Sequence, residues 1–175
     1  AVGVEALRLE LLALRRRARD FQFMAVFEDS FAPEIERLVD GLRRRRGDAR
    51  RQQQRRKMLC QIAALMQTRL RESDTFARLG GDEFGVLLEH CSLPAALKVG
   101  ENLLEALATF RFGWDEKSFH VGASIGVVEI LPEGMTAPQL MSAADTACYA
   151  AKDEGRNRVR TYLATDLEIN QRKGE

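Results

Sequence analysis

The chain has 175 residues, of which 45% are hydrophobic and 30% charged, and its formal net charge at pH 7 is +1. This composition predicts one soluble globular domain, and the near-zero charge gives no general sign of a nucleic-acid or acidic partner. No apolar stretch is long enough to cross a membrane and no signal peptide opens the chain, so we expect a cytoplasmic protein. The cysteines have neither zinc-site nor disulfide-framework spacing, and we expect three reduced core thiols: Cys60, Cys91 and Cys148.

The first third of the chain combines short predicted elements with a strongly basic segment. Leucine spacing predicts an amphipathic helix at residues 4–19, an apolar run predicts a strand at 21–27, and residues 34–42 resemble a short helix. Residues 43–57 then carry nine basic side chains and one acidic one, so we expect a solvated or mobile segment. Nucleic-acid or membrane binding is the less favoured interpretation, because no aromatic side chains interleave the arginines for stacking.

The rest of the chain alternates between helical and strand patterns. Such alternation around a hairpin predicts a layered arrangement of helices on a sheet. The predicted elements are a helix at 58–70, a hairpin at 77–88, a helix at 93–110 with Ser92 as N-cap, a strand at 119–130, a helix at 138–152 ended by Gly155, and a strand at 158–163.

The hairpin contains the most informative residues of the chain, Gly80, Gly81, Asp82 and Glu83. A glycine pair accepts the positive φ of a two-residue turn and leaves the backbone bare for a ligand. Two carboxylates at an exposed hairpin tip could bind a hard cation such as Mg²⁺, which usually shares its oxygen ligands with substrate phosphates. The residues alone leave open an ordinary hairpin with a solvated acidic turn.

The sequence resembles the GGDEF family of diguanylate cyclase domains in three blocks, the first of which combines this G-G-D-E-F stretch with an RxxD pattern upstream of it. Arg71 and Asp74 match the family's RxxD pattern, and five residues separate Asp74 from the glycine pair. Residues 121–127 resemble the family's S-I-G-V strand, and residues 145–157 resemble its D-x-A-L-Y-x-A-K-x-x-G-R-N block. Three blocks in the family's order, between residues 59 and 162, make the resemblance specific.

The resemblance implies an α+β fold in which helices flank a central mixed, largely antiparallel sheet, akin to the palm of nucleotide cyclases and polymerases. It places a GGDEF domain at residues 1–163, of which 1–57 are atypical for the family, and a C-terminal linker at 164–175. The polar residues 166–175 resemble the stretch that often joins a GGDEF domain to an EAL phosphodiesterase domain. An adjoining EAL domain is therefore expected.

The resemblance also implies an activity, the condensation of two GTP into cyclic di-GMP with release of pyrophosphate. One GTP is held by each domain of a homodimer, with Mg²⁺ or Mn²⁺ as cofactor, and no nucleic-acid partner is expected. Asp82 and Glu83 are the implied catalytic and metal-binding carboxylates, and Glu83 either assists deprotonation of the 3′-hydroxyl or contacts the metal. Gly80 and Gly81 let the nucleotide lie against the turn.

Two further pairs of residues match family positions. Lys152 and Arg156 correspond to residues that bind the terminal phosphates, and their spacing of four on or just past a helix lets them point the same way. Their alternative role is that of solvated cations at a helix end. Arg71 and Asp74 correspond to a product-inhibition site, and their alternative is a surface pair one helical turn apart.

The sequence departs from the family before residue 58. The family opens with a strand that reads D-x-D-x-F-K-x-x-N-D, whose first aspartate binds metal and whose asparagine reads guanine. In the nearest match Phe27 stands at the metal-binding position. Counting back from the G-G-D-E-F motif instead leads to residues 39–57, where arginines and glutamines stand in place of the guanine-reading residues.

Three hypotheses explain this departure. The domain is degenerate, in which case it binds cyclic di-GMP or GTP, or dimerises, without catalysis. Alternatively, the metal site is rebuilt from Glu28, Asp29 or Asp40. The third hypothesis is a frame error in the sequence of residues 20–57, which peptide mass mapping would detect.

Overall fold

The structure, a computed structural model, describes residues 21–31, 49–114, 117–131 and 135–162. Its elements in chain order are β1 (Phe21–Phe31), α1 (Ala49–Gln67), β2 (Thr75–Gly80), β3 (Glu83–Glu89), α2 (Leu93–Thr109), β4 (Arg111–Trp114), β5 (Lys117–Glu129), α3 (Ala137–Asp153) and β6 (Val159–Thr161). The predicted helices at 4–19 and 34–42, Asp40 and the linker at 164–175 lie outside the described residues.

The described strands form one sheet in the order β2-β3-β1-β5-β4, with β6 also paired to β5. Every pairing is antiparallel except that of β5 with β6. The first strand is central: Phe27 lies opposite Phe84 of β3 on one side and opposite Ile125 of β5 on the other. The predicted fold class, a mixed and largely antiparallel sheet flanked by helices, is confirmed.

Hydrophobic side chains fill a layer on each face of the sheet. The larger cluster packs α1 and α2 against one face, and the smaller packs α3 against the other. Strand β3 contributes to both layers because successive side chains of a strand point to opposite faces, and Val86 and Leu87 accordingly belong to different clusters. Among the described residues, no helix has both the length and the apolarity needed to cross a lipid bilayer.

Helix α1 begins earlier than its apolar pattern indicates. It starts at Ala49, so the described part of the basic segment at 43–57 is helical. Arg56 and Lys57 are exposed, which agrees with the expectation of a solvated segment there. Arginine and glutamine are good helix formers, and the buried side chains of Met58, Leu59 and Ile62 hold the following turns against the sheet. Tertiary packing thus extends a helix into residues that have no apolar face of their own.

Two strands also differ from the predictions. Strand β1 extends to Phe31 because its last residues continue to pair with β5, as far as the Phe31–Val121 register. Strand β4 was not predicted; it pairs with Lys117–His120 and buries Phe112.

The expectation of three core thiols holds for one cysteine only. Cys148 is buried on α3 and its thiol donates to the carbonyl of Ser124, with a sulfur–oxygen distance of 3.1 Å. Cys60 is exposed on α1, where it follows the buried Leu59 and lies about 100° around the helix axis from it. Cys91 is partly exposed in the turn after β3. Apolar neighbours in the sequence therefore do not by themselves indicate burial.

Candidate active site

The G-G-D-E-F stretch forms the turn between β2 and β3. Gly80 ends β2 and pairs with Glu83, the first residue of β3, so Gly81 and Asp82 are the two central residues of the turn. Gly81 has a φ of +48°, which favours glycine. Of the two carboxylates expected at the hairpin tip, Asp82 lies within the turn and Glu83 directly follows it. The Arg78 guanidinium fixes this turn by donating to the carbonyl oxygen of Gly81 at 2.7 and 3.2 Å.

The two glycines leave open space above the turn. Apart from the adjoining residues of the chain, a Cβ atom added to Gly80 or to Gly81 would meet no atom of the described residues within 4 Å. Packing against the described residues therefore does not require glycine at position 80, whose φ is not positive. The bare backbone at this position would let a ligand lie close to the turn.

Asp82 binds a cationic side chain from a distant part of the chain. Both Nε and Nη2 of Arg55, on α1, donate to Oδ1 of Asp82, at 3.1 and 2.6 Å. The two side chains are 36% and 24% exposed, so the pair lies at the surface with solvent access. Sequence reasoning missed Arg55: it noted arginines in place of guanine-reading residues but had no signal that linked any of them to Asp82.

The strand register brings the loop that contains Arg156 to the end of the sheet at which the β2–β3 turn lies. Glu83 lies opposite Glu28 of β1, and Glu28 lies opposite Ser124 of β5. The next residue of β5, Ile125, donates its amide to the carbonyl of Arg158, at the start of β6. Three strand spacings of about 4.8 Å each place this segment some 14 Å across the sheet from the turn. A nucleotide with its phosphate chain can extend over such a distance.

The first strand supplies two of the three carboxylates proposed for a rebuilt metal site. Glu28 is the register partner of Glu83, and Asp29 lies one position beyond it, opposite Ala123. Asp40 lies outside the described residues. Among the side chains that the structure describes, no group of three histidine, cysteine or carboxylate residues forms a metal cluster.

Lys152 and Arg156 do not share a helix face. Helix α3 ends at Asp153, and the amides of Gly155 and Arg156 bond back to the carbonyls of Lys152 and Ala151. This pattern, with φ of +109° at Gly155, is a Schellman motif, and Arg156 follows it in a left-handed conformation with φ of +61°. Arg156 therefore lies just past the helix, so helical spacing alone does not align it with Lys152, while the prediction that Gly155 ends the helix is confirmed.

Arg71 and Asp74 form a turn at the far end of β2, about 20 Å along the strand from the G-G-D-E-F turn. The Asp74 carboxylate accepts from the backbone amide of Arg71 at 2.9 Å, so the two are joined through the backbone rather than as a side-chain pair. They line an open cleft of about 340 Å³ together with Gln67, Leu70, Glu72, Thr75 and Phe76. The exposed Arg71 side chain is available to a ligand in this cleft.

The charges of Asp74 and Arg71 affect the pKa of the nearby Cys91 thiol. Burial is the main cause that raises the pKa of Cys91 above its ordinary value, and the negative charge of Asp74 raises it further. The positive charge of Arg71 opposes both effects. The pKa of Cys91 therefore depends on the charges of the Arg71–Asp74 turn, although Cys91 is not one of the predicted site residues.

Comparisons with known proteins agree with the motifs. The profile of the family described as "Diguanylate cyclase, GGDEF domain" matches residues 52–158. The probable diguanylate cyclase DgcE of Escherichia coli is 43% identical over 105 residues, which are 60% of this chain and 10% of that protein. The bifunctional diguanylate cyclase/cyclic di-GMP phosphodiesterase MucR of Pseudomonas aeruginosa is 36% identical over 100 residues, which are 57% of this chain and 14% of that protein. The chain thus spans a small part of the length of these relatives.

The fold agrees as well. The crystal structure of the GGDEF domain of TpbB from Pseudomonas aeruginosa superposes with a TM-score of 0.75 and 27% identity, covering 93% of this chain and 96% of that one. The matched profile spans more than half of the sequence and includes the turn at Asp82, the Arg71–Asp74 turn and the segment around Arg156. On these grounds, the chain belongs to the GGDEF domain family.

Proposed function

We propose that this chain is a diguanylate cyclase domain that condenses two GTP into cyclic di-GMP and releases two pyrophosphates. The observation that carries the proposal is the β2–β3 turn, in which open space above Gly80 and Gly81 adjoins a carboxylate, Asp82, that already binds a cationic group. The proposed domain runs to residue 163, with 1–57 atypical and 164–175 as linker. Because GTP is its substrate, the proposed compartment is the cytoplasm.

The donor set of the turn fits a divalent cation, which we propose to be Mg²⁺ or Mn²⁺. Carboxylate oxygens are the ligands that such hard ions prefer, and the Arg55 contact indicates that positive charge is favourable at Asp82. Asp82 and Glu83 would hold the ion, with Glu28 or Asp29 of the neighbouring strand as further candidates. A bound ion would neutralise phosphate charge and polarise the α-phosphate.

The proposed reaction forms two bonds and breaks two. The 3′-oxygen of each GTP bonds to the α-phosphorus of the other, and the bond from each α-phosphorus to pyrophosphate breaks. Glu83, exposed at the start of β3, would accept or stabilise the proton that leaves a 3′-hydroxyl. Lys152 and Arg156 would bind the terminal phosphates, and the bare turn at Gly80 and Gly81 would let the nucleotide lie against the backbone.

We propose Arg71 and Asp74 as a product-binding site that feeds back on the enzyme. The supporting observations are the open cleft that both residues line and the exposed Arg71 side chain. A guanidinium can bind a phosphate or a guanine edge in a bidentate manner, and a carboxylate can accept from guanine N–H groups. An adjoining EAL domain remains a prediction, which MucR, a relative named as bifunctional, makes reasonable.

A second candidate function is a GGDEF module that binds GTP or cyclic di-GMP, or dimerises, without catalysis. One observation favours it: Phe27, at the position of the family's metal-binding aspartate, sits in β1 opposite Phe84, beside the proposed site. A module of this kind would keep the Arg71–Asp74 cleft while lacking turnover.

The experiment that tests the proposal is incubation of the protein with GTP and Mg²⁺, followed by chromatography of cyclic di-GMP. We expect product from the wild type and a loss of at least about a hundredfold in Asp82→Asn, since the substitution removes the carboxylate charge and keeps the shape. Glu105→Gln, an exposed change on α2, is the matched control and should keep the activity. Absence of product from the wild type, with cyclic di-GMP still bound, would favour the non-catalytic module.

A further inference from the structure

We propose that Arg55 is an additional substrate-binding residue, whose guanidinium leaves Asp82 and binds the triphosphate of GTP when the nucleotide enters the turn site. The inference rests on the proposed function of that site and adds a residue from α1 to it. The family's sequence blocks do not contain this residue, and its role follows from the contact alone.

The Arg55–Asp82 contact places a cationic group next to the proposed metal-binding carboxylate. Both donors of Arg55 converge on the same oxygen, Oδ1, so the guanidinium lies against one edge of the carboxylate that would share a metal ion with the phosphates. A cationic group beside that carboxylate is also beside the phosphates that the carboxylate helps to hold. The solvent access of both side chains allows a nucleotide to reach them.

The Arg55–Asp82 ion pair is weaker than the contact between Arg55 and phosphate that would replace it. An ion pair this exposed changes an equilibrium by about fivefold at most, so Asp82 can release Arg55 without much resistance. A forked guanidinium bound to phosphate makes two parallel charge-assisted hydrogen bonds, which change affinity by about tenfold to a hundredfold. The exchange therefore favours phosphate, and the same comparison argues against a strong autoinhibitory latch.

The backbone that carries Arg55 is held in place by the packing of α1 on the sheet. The helix is fixed to the sheet one turn later by Met58 and Leu59, whose side chains are 3% and 4% exposed. Only the Arg55 side chain has to turn from Asp82 towards the ligand. A planar fork on a fixed backbone suits phosphate better than the point charge of lysine, so Arg55→Lys should replace it only in part.

The test measures binding without turnover. The probe is 3′-deoxy-GTP with Mg²⁺, which lacks the attacking hydroxyl, and calorimetry gives its affinity for wild type, Arg55→Gln, Arg55→Lys and Arg56→Gln. Arg56 is exposed and next in the chain, so its substitution removes the same charge beside Arg55. A second probe, guanosine, lacks all phosphates, and its weak binding is followed by ligand-observed NMR.

We expect Arg55→Gln to weaken 3′-deoxy-GTP about tenfold to a hundredfold, Arg55→Lys to weaken it less, and Arg56→Gln to leave it within about threefold. Guanosine affinity should be the same in all four proteins. Circular dichroism and thermal melting would show that each variant is folded.

Four results would overturn the inference. If Arg55→Gln weakened the binding of guanosine as much as that of 3′-deoxy-GTP, Arg55 would be a base-reading residue. If Arg56→Gln weakened 3′-deoxy-GTP as much as Arg55→Gln does, the loss would be only a general effect of charge. An unchanged affinity of Arg55→Gln for 3′-deoxy-GTP would show that Arg55 does not bind the triphosphate. Tighter binding would show that the Arg55–Asp82 contact is autoinhibitory. The proposed function fails separately: a wild type that binds 3′-deoxy-GTP but makes no cyclic di-GMP from GTP refutes the cyclase alone, and one that does not bind the probe refutes both.

Discussion

Cys91 offers a chemical probe of the Arg71–Asp74 cleft. Its thiol pKa lies above the ordinary value because of burial and the neighbouring Asp74, so at pH 8 less of it is thiolate, the form that reacts. The alkylation rate of Cys91 should therefore rise steeply with pH above 8. Bound cyclic di-GMP would add negative charge and cover the cleft, and both effects would slow the reaction further.

We expect cyclic di-GMP to slow alkylation of Cys91 by iodoacetamide several-fold at pH 8, as measured by peptide mass spectrometry. Cys60 is exposed on α1 and supplies the internal control, whose rate should not change. Arg71→Gln should abolish the protection while leaving the protein folded. Equal rates with and without cyclic di-GMP in the wild type would argue against product binding at this cleft.

Single residues also show where sequence reasoning reaches its limit. The order of Gly80, Gly81, Asp82 and Glu83 predicted a turn with a carboxylate tip, since glycine requirements and turn length are local properties. The contact of Asp82 with Arg55 spans 27 positions and depends on how α1 lies on the sheet. No local pattern encodes that placement, so this part of the site came only from the structure.

At the scale of elements, Gly126 sets how closely α3 approaches β5. A Cβ added there would lie 2.1 Å from the carbonyl oxygen of Ala144 and 2.5 Å from the amide nitrogen of Cys148, both backbone atoms that cannot turn aside. Helix and strand would have to separate, which exposes part of the apolar layer between them. A Cβ added to Gly113, on β4, would meet none of the described residues within 4 Å apart from its chain neighbours, so Gly113 is the matched control.

We therefore expect Gly126→Ala to lower the free energy of unfolding by about 1–3 kcal/mol or more, and Gly113→Ala to change it by less than about 1 kcal/mol. Urea unfolding followed by circular dichroism measures both. Equal effects of the two substitutions would show that α3 adapts to the added methyl group. The activity of Gly126→Ala should be tested with it, because α3 carries Lys152 into the proposed site.

The end of α3 shows how two local rules can conflict. Gly155 correctly predicted where the helix stops, because only glycine readily adopts the required positive φ. The helical-spacing argument for Lys152 and Arg156 needed the helix to continue. The Schellman motif instead directs the chain into β6, and the proposed phosphate contacts then depend on a loop rather than on a helix face.

For the whole molecule, the alternation of elements predicted the fold class but not the order of the strands. The central position of β1 follows from pairings with β3 and β5 that are far apart in sequence. Those pairings bring Glu83 and the segment around Arg156 to one end of the sheet. The described residues of one chain present one such turn, whereas the proposed product contains two new phosphodiester bonds.

Catalysis should therefore require two chains, each presenting one GTP to the other. If a dimer with one impaired turn cannot complete the second bond, only dimers of two wild-type chains make cyclic di-GMP. Equal amounts of wild type and Asp82→Asn, mixed at low concentration and then concentrated, should retain about a quarter of the activity of the same total amount of wild type under random pairing. Chains that act alone would retain about half. A specific activity that rises with protein concentration in the wild type would support the same conclusion, and a linear two-guanosine product in the mixture would come from the mixed dimers.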